Sequence, residues 1–304
     1  MNDIKDVKRK YNFIIKKYYY VGKSVIVYTD KGNFIVKRTN GYDKDNLYNS
    51  LSNKKFFNYV RPYILDDDYE IYPYLETIEK DDDDRALDII YLISILHNKT
   101  TFYKKFNIDD KKSIYEEILN NLNYLTDYYD NLRWIIEEEL YPAPSSYLLL
   151  RNITLLYSSI DYSLYFLNKW YELVKNADVK RVARVHGNLK LSHLIENDNL
   201  YLISWDNSKI DIPIVDIYNF YKNNYLDLDF SSLFSVYLSK YQLLDDEKYL
   251  FFSLILMPEK VDLTNNEIIN IKNVYNLIEY VSKSNYIVSK HYSKESNHEA
   301  GNKK

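Results

Sequence analysis

Short runs of β-branched and aromatic residues, separated by turn residues, open the chain. These runs cover residues 11–15, 24–28 and 33–37. Gly22 precedes the second run, and the segment Asp-Lys-Gly at 30–32 precedes the third. Glycine-containing turns between apolar runs are typical of β-hairpins, so this pattern predicts a three-stranded antiparallel meander.

A polar segment follows, in which Leu47 and Leu51 recur at helical spacing. Residues 69–75 are again apolar and aromatic, and they predict another strand. The acidic run 79–84 comes next. Because neighbouring aspartates repel one another, we predict a solvated loop there rather than a metal site.

From Arg85 onward the apolar positions recur at helical spacing. Residues 85–97 are almost wholly apolar, which predicts a buried helix. Amphipathic helices are predicted at 114–125, 131–140 and 148–174, with two prolines separating the second from the third. A strand-rich patch spans 182–203, and the segment 214–286 is predicted to be helical again.

The order of these elements predicts an α+β fold with a small, strand-rich N-terminal lobe and a larger, mostly helical C-terminal lobe. We place the N-terminal lobe at residues 1–76 and the C-terminal lobe at residues 77–290. The remaining segment, 291–304, is polar, and we predict a disordered tail. Several α+β folds share this order, which therefore identifies no function by itself.

Composition narrows the class of protein. Apolar residues make up 46% and charged residues 28% of the chain, which is typical of a soluble globular protein. The net charge is -4 and no basic stripe is present, so nucleic acid is not an expected partner. The chain has no cysteine, which excludes disulfides and thiolate chemistry. No apolar run reaches the ~20 residues of a membrane span, so we expect no membrane association and a cytoplasmic location.

The segment 185–217 carries the candidate chemistry. It contains His-Gly-Asn-Leu at 186–189, Ser-Trp-Asp at 204–206 and Pro-Ile-Val-Asp-Ile at 213–217. From these residues alone, a β-hairpin with a glycine turn and structural histidines explains the segment as well as a reaction centre does.

The three motifs together resemble the catalytic core of the aminoglycoside phosphotransferase and choline kinase family. That family carries His-Gly-Asp-Leu-x-x-x-Asn, then Ile-Asp-aromatic-acid, and finally Pro-x-x-Asp-Leu. His186 and Gly187 match the first motif, Asp206 matches the second, and Pro213 and Asp216 match the third. A further segment, Leu-Ile-Leu-Met-Pro-Glu at 254–259, is similar to a segment of the bacterial spore-coat kinase-like (CotS-type) branch of the family. The resemblance implies a bilobal protein-kinase-like fold.

The resemblance also assigns residues to nucleotide binding. Lys37 lies on the third predicted strand, where the family carries its nucleotide-phosphate lysine. Tyr74 and Leu75 lie in the segment that resembles the hinge, which binds adenine through its backbone. The family pairs its lysine with an acidic residue, for which the following segment offers Asp43 and Asp45 but no glutamate.

Three positions depart from the family pattern. Asn188 stands where the family has its catalytic aspartate, which accepts the substrate hydroxyl proton. His193 and Ser204 stand at the two metal-ligand positions, where the family has Asn and Asp. An amide has no comparable basicity, and imidazole and a neutral hydroxyl suit magnesium poorly. The resemblance therefore implies a degenerate reaction centre.

The remaining matched residues are assigned to the scaffold and to a possible metal. His186 and Asp216 persist, and we predict that they hold the former catalytic loop, with Asp216 accepting hydrogen bonds from its backbone. Asp206 lies one residue beyond the usual main ligand. It either holds a metal in a shifted geometry or caps the following turn.

We therefore predict a pseudokinase that acts by binding a ligand or a protein partner, neither of which the sequence identifies. One alternative is an active ATP-dependent phosphotransferase acting on a hydroxyl of an amino-sugar or choline-like substrate. Another is a structural component of a spore coat. No cofactor follows from the residues themselves, and the resemblance implies ATP with magnesium as the candidates.

Overall fold

The computed structural model describes residues 2–39, 41, 43–264 and 266–301. Its contacts divide the chain into two units. The first unit consists of Met1–Thr100 and His186–Lys209, and the second consists of Thr101–Val185 and Ile210–Lys304. These units differ from the two predicted lobes, because each unit combines two separate stretches of the chain. The predicted lobe boundary at residue 76 stays a prediction.

The strands are β1 (Ile15–Val21), β2 (Ser24–Thr29), β3 (Gly32–Arg38), β4 (Ile64–Leu65), β5 (Tyr69–Pro73), β6 (Phe102–Lys105), β7 (Val179–Val185), β8 (Leu194–Glu196), β9 (Leu200–Leu202) and β10 (Lys209–Asp211). The helices are α1 (Asn2–Tyr11), α2 (Lys44–Asn53), α3 (Asp82–Thr100), α4 (Ile108–Glu137), α5 (Pro144–Arg151), α6 (Ile153–Val174), α7 (Ile214–Asn224), α8 (Phe230–Lys240), α9 (Asp245–Leu256) and α10 (Glu267–Gly301). Short 3-10 turns cover Leu191–His193 and Trp205–Asn207. The predicted α+β class is confirmed.

The first unit contains a five-stranded antiparallel sheet with the order β1-β2-β3-β5-β4. The predicted meander is confirmed, but its first strand begins at Ile15 rather than at Tyr11. Tyr11 instead ends α1, and Asn12 leaves the helix with a φ of 53°. Strand β1 is largely exposed, so its sequence lacks the alternation that marks a half-buried strand.

One face of this sheet packs on a hydrophobic core that includes Val25, Val27, Phe34, Val36 and Ile71. Because side chains alternate across a strand, Ile35 and Lys37 lie on the opposite face of β3. Helix α2, which was predicted from Leu47 and Leu51, buries both of those leucines.

Helix α3 begins three residues earlier than predicted. Asp82, Asp83 and Asp84 form its first turn rather than part of a solvated loop. The three carboxylates are exposed and lie at the positive end of the helix dipole, which favours negative charge there. This dipole compensates the mutual repulsion on which the loop prediction rested.

The second stretch of the first unit attaches to the first stretch through backbone pairing. The hairpin β8–β9 pairs with the segment between α2 and β4, through a parallel bridge between Tyr59 and Leu202. Leu202 N donates to Asn58 O at 2.9 Å, and Asn58 Nδ2 donates to Leu200 O at 2.9 Å. These bonds fix the hairpin, and with it the residues that follow Leu202.

The second unit is mostly helical and contains a three-stranded sheet of order β10-β7-β6. Two predicted helices form the single helix α4, and Pro144 begins α5 at a position where its missing N–H costs nothing. Helix α10 runs to Gly301 and so includes residues 291–301 of the predicted tail, while residues 302–304 lie outside the described residues. The disorder of the tail stays a prediction. Of the helices in the described ranges, none has the length and apolar character that crossing a membrane requires.

Candidate functional site

A cleft in the first unit lies on the face of the sheet that carries Ile35 and Lys37. Its apolar walls are formed by Ile35, Val60, Pro73, Ile195 and Ile203, and its polar end is formed by Lys37, Lys44 and Ser204. An apolar cleft with a few convergent polar groups is the usual form of a small-molecule site. All of these residues belong to one compact unit.

The register of the sheet places charged residues side by side at the polar end. Lys37 on β3 lies directly opposite Glu70 on β5, and Ile35 lies opposite Tyr72. Tyr69 and Ile71 face the core, so strand alternation turns Glu70 and Tyr72 toward the cleft face.

Four charged side chains meet at this end of the cleft. Lys37 Nζ donates to Asp206 Oδ2, and Lys44 Nζ donates to Asp206 Oδ1 at 2.7 Å. Lys44 Nζ also donates to Glu70 Oε2 at 2.5 Å. Asp206 is thus held by both lysines, and Lys44 is held between two carboxylates. We call Lys37, Lys44, Glu70 and Asp206 the lysine–carboxylate cluster.

The cluster is graded in exposure. The side chains of Lys44 and Glu70 are 1% and 0% exposed, whereas those of Lys37 and Asp206 are 21% and 24% exposed. Lys44 is therefore a buried ion-pair partner, and Lys37 is the lysine that solvent or a ligand reaches. Burial raises the pKa of Asp206, but the hydrogen bonds from Lys37 and Lys44 outweigh burial, and the pKa lies below its usual value.

Two tyrosines extend the cluster into the protein. Tyr72 Oη donates to Glu70 Oε2 at 3.0 Å, and the hydroxyls of Tyr48 and Tyr72 lie 3.3 Å apart. Burial, and then the neighbouring Tyr48, raises the pKa of Tyr72, so its hydroxyl stays protonated and remains a donor. Glu70 therefore receives hydrogen bonds from both a lysine and a tyrosine.

The backbone around Asp206 has an unusual conformation. Ser204 has a φ of 66°, in the left-handed region that non-glycine residues rarely adopt. Trp205 is buried, and its Nε1 donates to Leu202 O at 2.8 Å. The buried indole ring anchors this turn and so directs Asp206 toward the two lysines.

The loop after β7 contains the position of the family's catalytic aspartate. His186 is fully buried, and its Nε2 donates to Ile203 O at 2.9 Å, which ties this loop to the residue before Ser204. Gly187 has a φ of 80°, and a Cβ added to it would lie 2.2 Å from Asn207 O. The loop and the Asp206 turn are therefore in close contact, and the scaffold role of His186 stays a prediction.

His193 points back into the same loop. Its Nδ1 donates to the backbone oxygen of Asn188 at 2.8 Å. Burial, together with the neighbouring His186, lowers the pKa of His193 to about 4. The imidazole is therefore neutral near pH 7, and its Nε2 carries the lone pair.

The other predicted site residues take different positions. Tyr74 N donates to Asn33 O at 2.9 Å, which extends the sheet beyond β5, and Leu75 is half-buried next to it. Pro73 lines the cleft, and these two residues follow it directly. Asp216 lies in the second unit, in the first turn of α7, and is fully buried. Its contact with the His186 loop stays a prediction.

Neither acid proposed as the partner of Lys37 takes that role. Asp43 is the N-cap of α2 and accepts from Asn46 N at 3.0 Å. Asp45 accepts from Arg61 on the surface. The acid that pairs with Lys37 is Asp206, and the acid opposite it on the sheet is Glu70.

Magnesium does not fit the residues present at its expected site. Of the candidate ligands, Asp206 is held by two ammonium groups, His193 is turned by its bond to the Asn188 carbonyl, and Ser204 offers a neutral hydroxyl. Within the described residues, no group of three or more His, Asp or Glu side chains is arranged to hold a metal ion.

Sequence reasoning missed Lys44 and Glu70. The signal for Glu70 was the alternation of Tyr-Glu-Ile-Tyr, which separates it from the core-facing Tyr69 and Ile71. Lys44 carried no such signal, because a lysine at the first position of a helix ordinarily faces solvent.

The fold is similar to those of solved phosphotransferases. An aminoglycoside phosphotransferase from Alicyclobacillus acidocaldarius has a TM-score of 0.67 and 11% identity, over 93% of each chain. A spectinomycin phosphotransferase crystallised with AMP has a TM-score of 0.56 and 12% identity, over 93% of this chain and 97% of that one. These likenesses confirm the predicted protein-kinase-like fold class. No family model matches the sequence, and no curated protein matches it.

Proposed function

We propose that this protein binds an adenine nucleotide in the cleft and transfers its phosphoryl group far more slowly than a working kinase. The observation that carries this proposal is the commitment of Asp206 to Lys37 and Lys44, in a site whose expected base is Asn188. The first half of the proposal rests on the shape of the cleft and the second on its chemistry.

The cleft suits a nucleotide in two respects. Ile35, Ile195 and Ile203 supply half-buried apolar walls for a planar base. Lys37 supplies a reachable ammonium at the polar end for a phosphate. The spectinomycin phosphotransferase with the similar fold was crystallised with AMP, which supports the same class of ligand here.

Phosphoryl transfer lacks the groups that it ordinarily uses. It depends on positioning, on charge stabilisation by metal ions, and on a carboxylate that accepts the substrate proton. Asn188 replaces that carboxylate, and loss of general-base help is typically worth ~10²–10⁴ in rate. Nucleotide binding without efficient turnover is the function that these residues support best.

A specific observation favours one alternative. His193 is neutral near pH 7 and keeps the lone pair on Nε2, so it can accept a proton, which the amide of Asn188 cannot. An active phosphotransferase would use His193 as its base, acting on a hydroxyl of an amino-sugar or choline-like substrate. The spore-coat role stays a prediction, which sporulation-linked expression would test.

Nucleotide binding and turnover are measured separately. A thermal-shift series with millimolar ATP, ADP and GTP should show stabilisation by adenine nucleotides, since a ligand of the native state raises its stability by RT ln(1 + [L]/Kd). ATP turnover against aminoglycosides, choline and amino-sugars should stay well below the ~1 s⁻¹ at the lower end of kinase rates. Turnover above that value, lost in His193→Gln, would establish the active alternative instead. No shift with any nucleotide would refute nucleotide binding.

A further inference from the structure

We infer that the cleft binds a polyphosphate chain without a divalent cation, because Lys44 supplies to Asp206 the positive charge that a metal would otherwise supply. This inference rests on the proposed binding of a nucleotide and specifies how its phosphates are held. It reverses the family expectation, in which an acid at this place recruits magnesium.

Both carboxylate oxygens of Asp206 already have cationic partners. Oδ2 accepts from Lys37 Nζ, and Oδ1 accepts from Lys44 Nζ at 2.7 Å. A magnesium ion bound to either oxygen would share that oxygen with an ammonium group and would lie next to it. Because two positive charges a few Å apart repel strongly in a partly buried site, the cluster disfavours the metal.

The charges of the cluster balance without a metal. Lys37 and Lys44 contribute two positive charges, and Glu70 and Asp206 contribute two negative ones. The family pattern has carboxylates at the positions of Asn188 and Ser204, and magnesium compensates such acids. In this chain both positions are neutral, so the two carboxylate charges of the protein that a metal would compensate are absent.

Lys44 is built into this position rather than placed there by a mobile side chain. It begins α2, a helix capped by Asp43 and packed through the buried Leu47 and Leu51. Its side chain is 1% exposed and is bonded to the equally buried Glu70. A buried ammonium between two carboxylates stays in place, because moving it away would leave a buried charge without its partner.

The two lysines have different roles because they differ in exposure. Lys37, with 21% of its side chain exposed, is the group that contacts a phosphate directly. Lys44 acts through Asp206, whose charge it neutralises and whose attraction for a metal it removes. Because Asp206 already pairs with Lys37, it competes with a phosphate group for this lysine when the ligand binds.

The first test compares binding with and without magnesium. Calorimetric titrations of ADP, ATP and inorganic tripolyphosphate are run in EDTA and in millimolar magnesium chloride. We expect affinities in the two buffers to agree within about threefold, whereas a required metal changes them about tenfold or more. Nucleotide binding that needs magnesium overturns the inference and leaves the proposed function standing. Metal-free binding of tripolyphosphate without nucleotide binding supports the inference and overturns the proposed function. No binding of any probe overturns both.

The second test uses Asp206→Asn, for which the two views predict opposite results. If Asp206 competes for Lys37, replacing it by Asn removes one negative charge that repels the phosphate. Metal-free binding of ADP should then tighten by about threefold to tenfold. If Asp206 is a metal ligand, the same change weakens binding in magnesium and leaves binding in EDTA unchanged. The second outcome overturns the inference.

A third test removes the cation that Lys44 supplies to Asp206. In Lys44→Met/Glu70→Gln both members of the buried ion pair are replaced, so no buried charge is left unpaired. Asp206 then lacks its second cation, and we expect nucleotide binding to become magnesium-dependent by about tenfold. Lys10→Met is the matched control, because Lys10 also bridges two carboxylates, Asp66 and Asp68, but lies outside the cleft lining. A folded double variant that still ignores magnesium overturns the role of Lys44.

Discussion

Gly187 offers a direct test of the close contact between the His186 loop and the Asp206 turn. Its φ of 80° lies in the left-handed region, and a Cβ built on it would lie 2.2 Å from Asn207 O and 2.9 Å from Asn207 C. Real Cβ atoms do not approach a backbone oxygen so closely. Replacing Gly187 by Ala must therefore move one of the two loops.

The expected cost has two parts. Placing a side chain in the left-handed region costs about 1–2 kcal/mol. Relieving the overlap with rigid backbone costs about 1–3 kcal/mol, the usual range for overpacking a well-packed site. Gly187→Ala should therefore lower the free energy of unfolding by about 2–5 kcal/mol.

Gly22→Ala separates the two parts. Gly22 also has a positive φ, 58°, but an added Cβ there has no atom within 4 Å. This control should lose only the left-handed part, about 1–2 kcal/mol. The loss of chain entropy in the unfolded state is the same for both variants and cancels in their difference.

The assay is urea denaturation of the two variants and the unmodified protein, followed by circular dichroism, with nucleotide binding measured on each folded sample. We expect Gly187→Ala to lose at least 1 kcal/mol more than Gly22→Ala. We also expect it to bind ADP more weakly, because the displaced turn carries the cleft residues Ile203 and Ser204. Equal stability of the two variants would show that the loops are not in close contact at Gly187.

Three further predictions concern chemistry, pH and the second unit. Asn188→Asp alone should restore little ATP turnover, because residues of one reaction centre act as a unit, and the triple variant with His193→Asn and Ser204→Asp should restore more; equal turnover in the two variants would contradict this. Folding lowers the pKa of His193 from 6.5 to about 4, so between these pH values the unfolded chain binds more protons than the folded one. The free energy of unfolding should therefore fall as the pH drops through this window. In thermal melts His193→Gln should make stability less dependent on pH, and an unchanged dependence would refute the lowered pKa of His193. Arg181 is 13% exposed, and its Nε donates to Glu247 Oε1 at 2.8 Å. Glu247→Ala leaves this arginine without its buried partner and should lower the free energy of unfolding by about 3–5 kcal/mol in chemical denaturation. A loss under about 1 kcal/mol would instead be typical of an ordinary surface ion pair.

Local periodicity predicted those parts of the fold that have one buried face. Strands β2 and β3 alternate between buried and exposed residues, and the sequence shows that alternation. Strand β1 is exposed on both faces at the edge of the sheet, so its apolar and polar residues follow no period, and its start was misplaced. Helix α1 was missed because its ten residues are mostly charged, with Val7 as its fully buried anchor.

The candidate site was only half predictable, for a different reason. Lys37 and Asp206 follow from motifs, since each lies at a position that the family resemblance assigns. Lys44 and Glu70 depend on which strand pairs with β3 and on which way α2 faces, and these are properties of the assembled sheet. The sequence offers Asp43 and Asp45 as acids near Lys37, whereas in the structure Lys37 pairs with Asp206, and Glu70 on β5 pairs with Lys44 on α2.

The unit that holds the cleft is assembled from two stretches of chain, 1–100 and 186–209. During synthesis, the whole of 101–185 must leave the ribosome before the second stretch can join the first. Until then Phe56 lacks Trp205, whose ring centre later lies 6.1 Å from its own, and Lys44 has Glu70 but not Asp206. A nascent or truncated chain that ends before residue 186 thus has all five strands of the sheet but lacks the cleft residues Ile195 and Ile203. The apolar face of its cleft is left open, which makes it a substrate for chaperones and prone to aggregation.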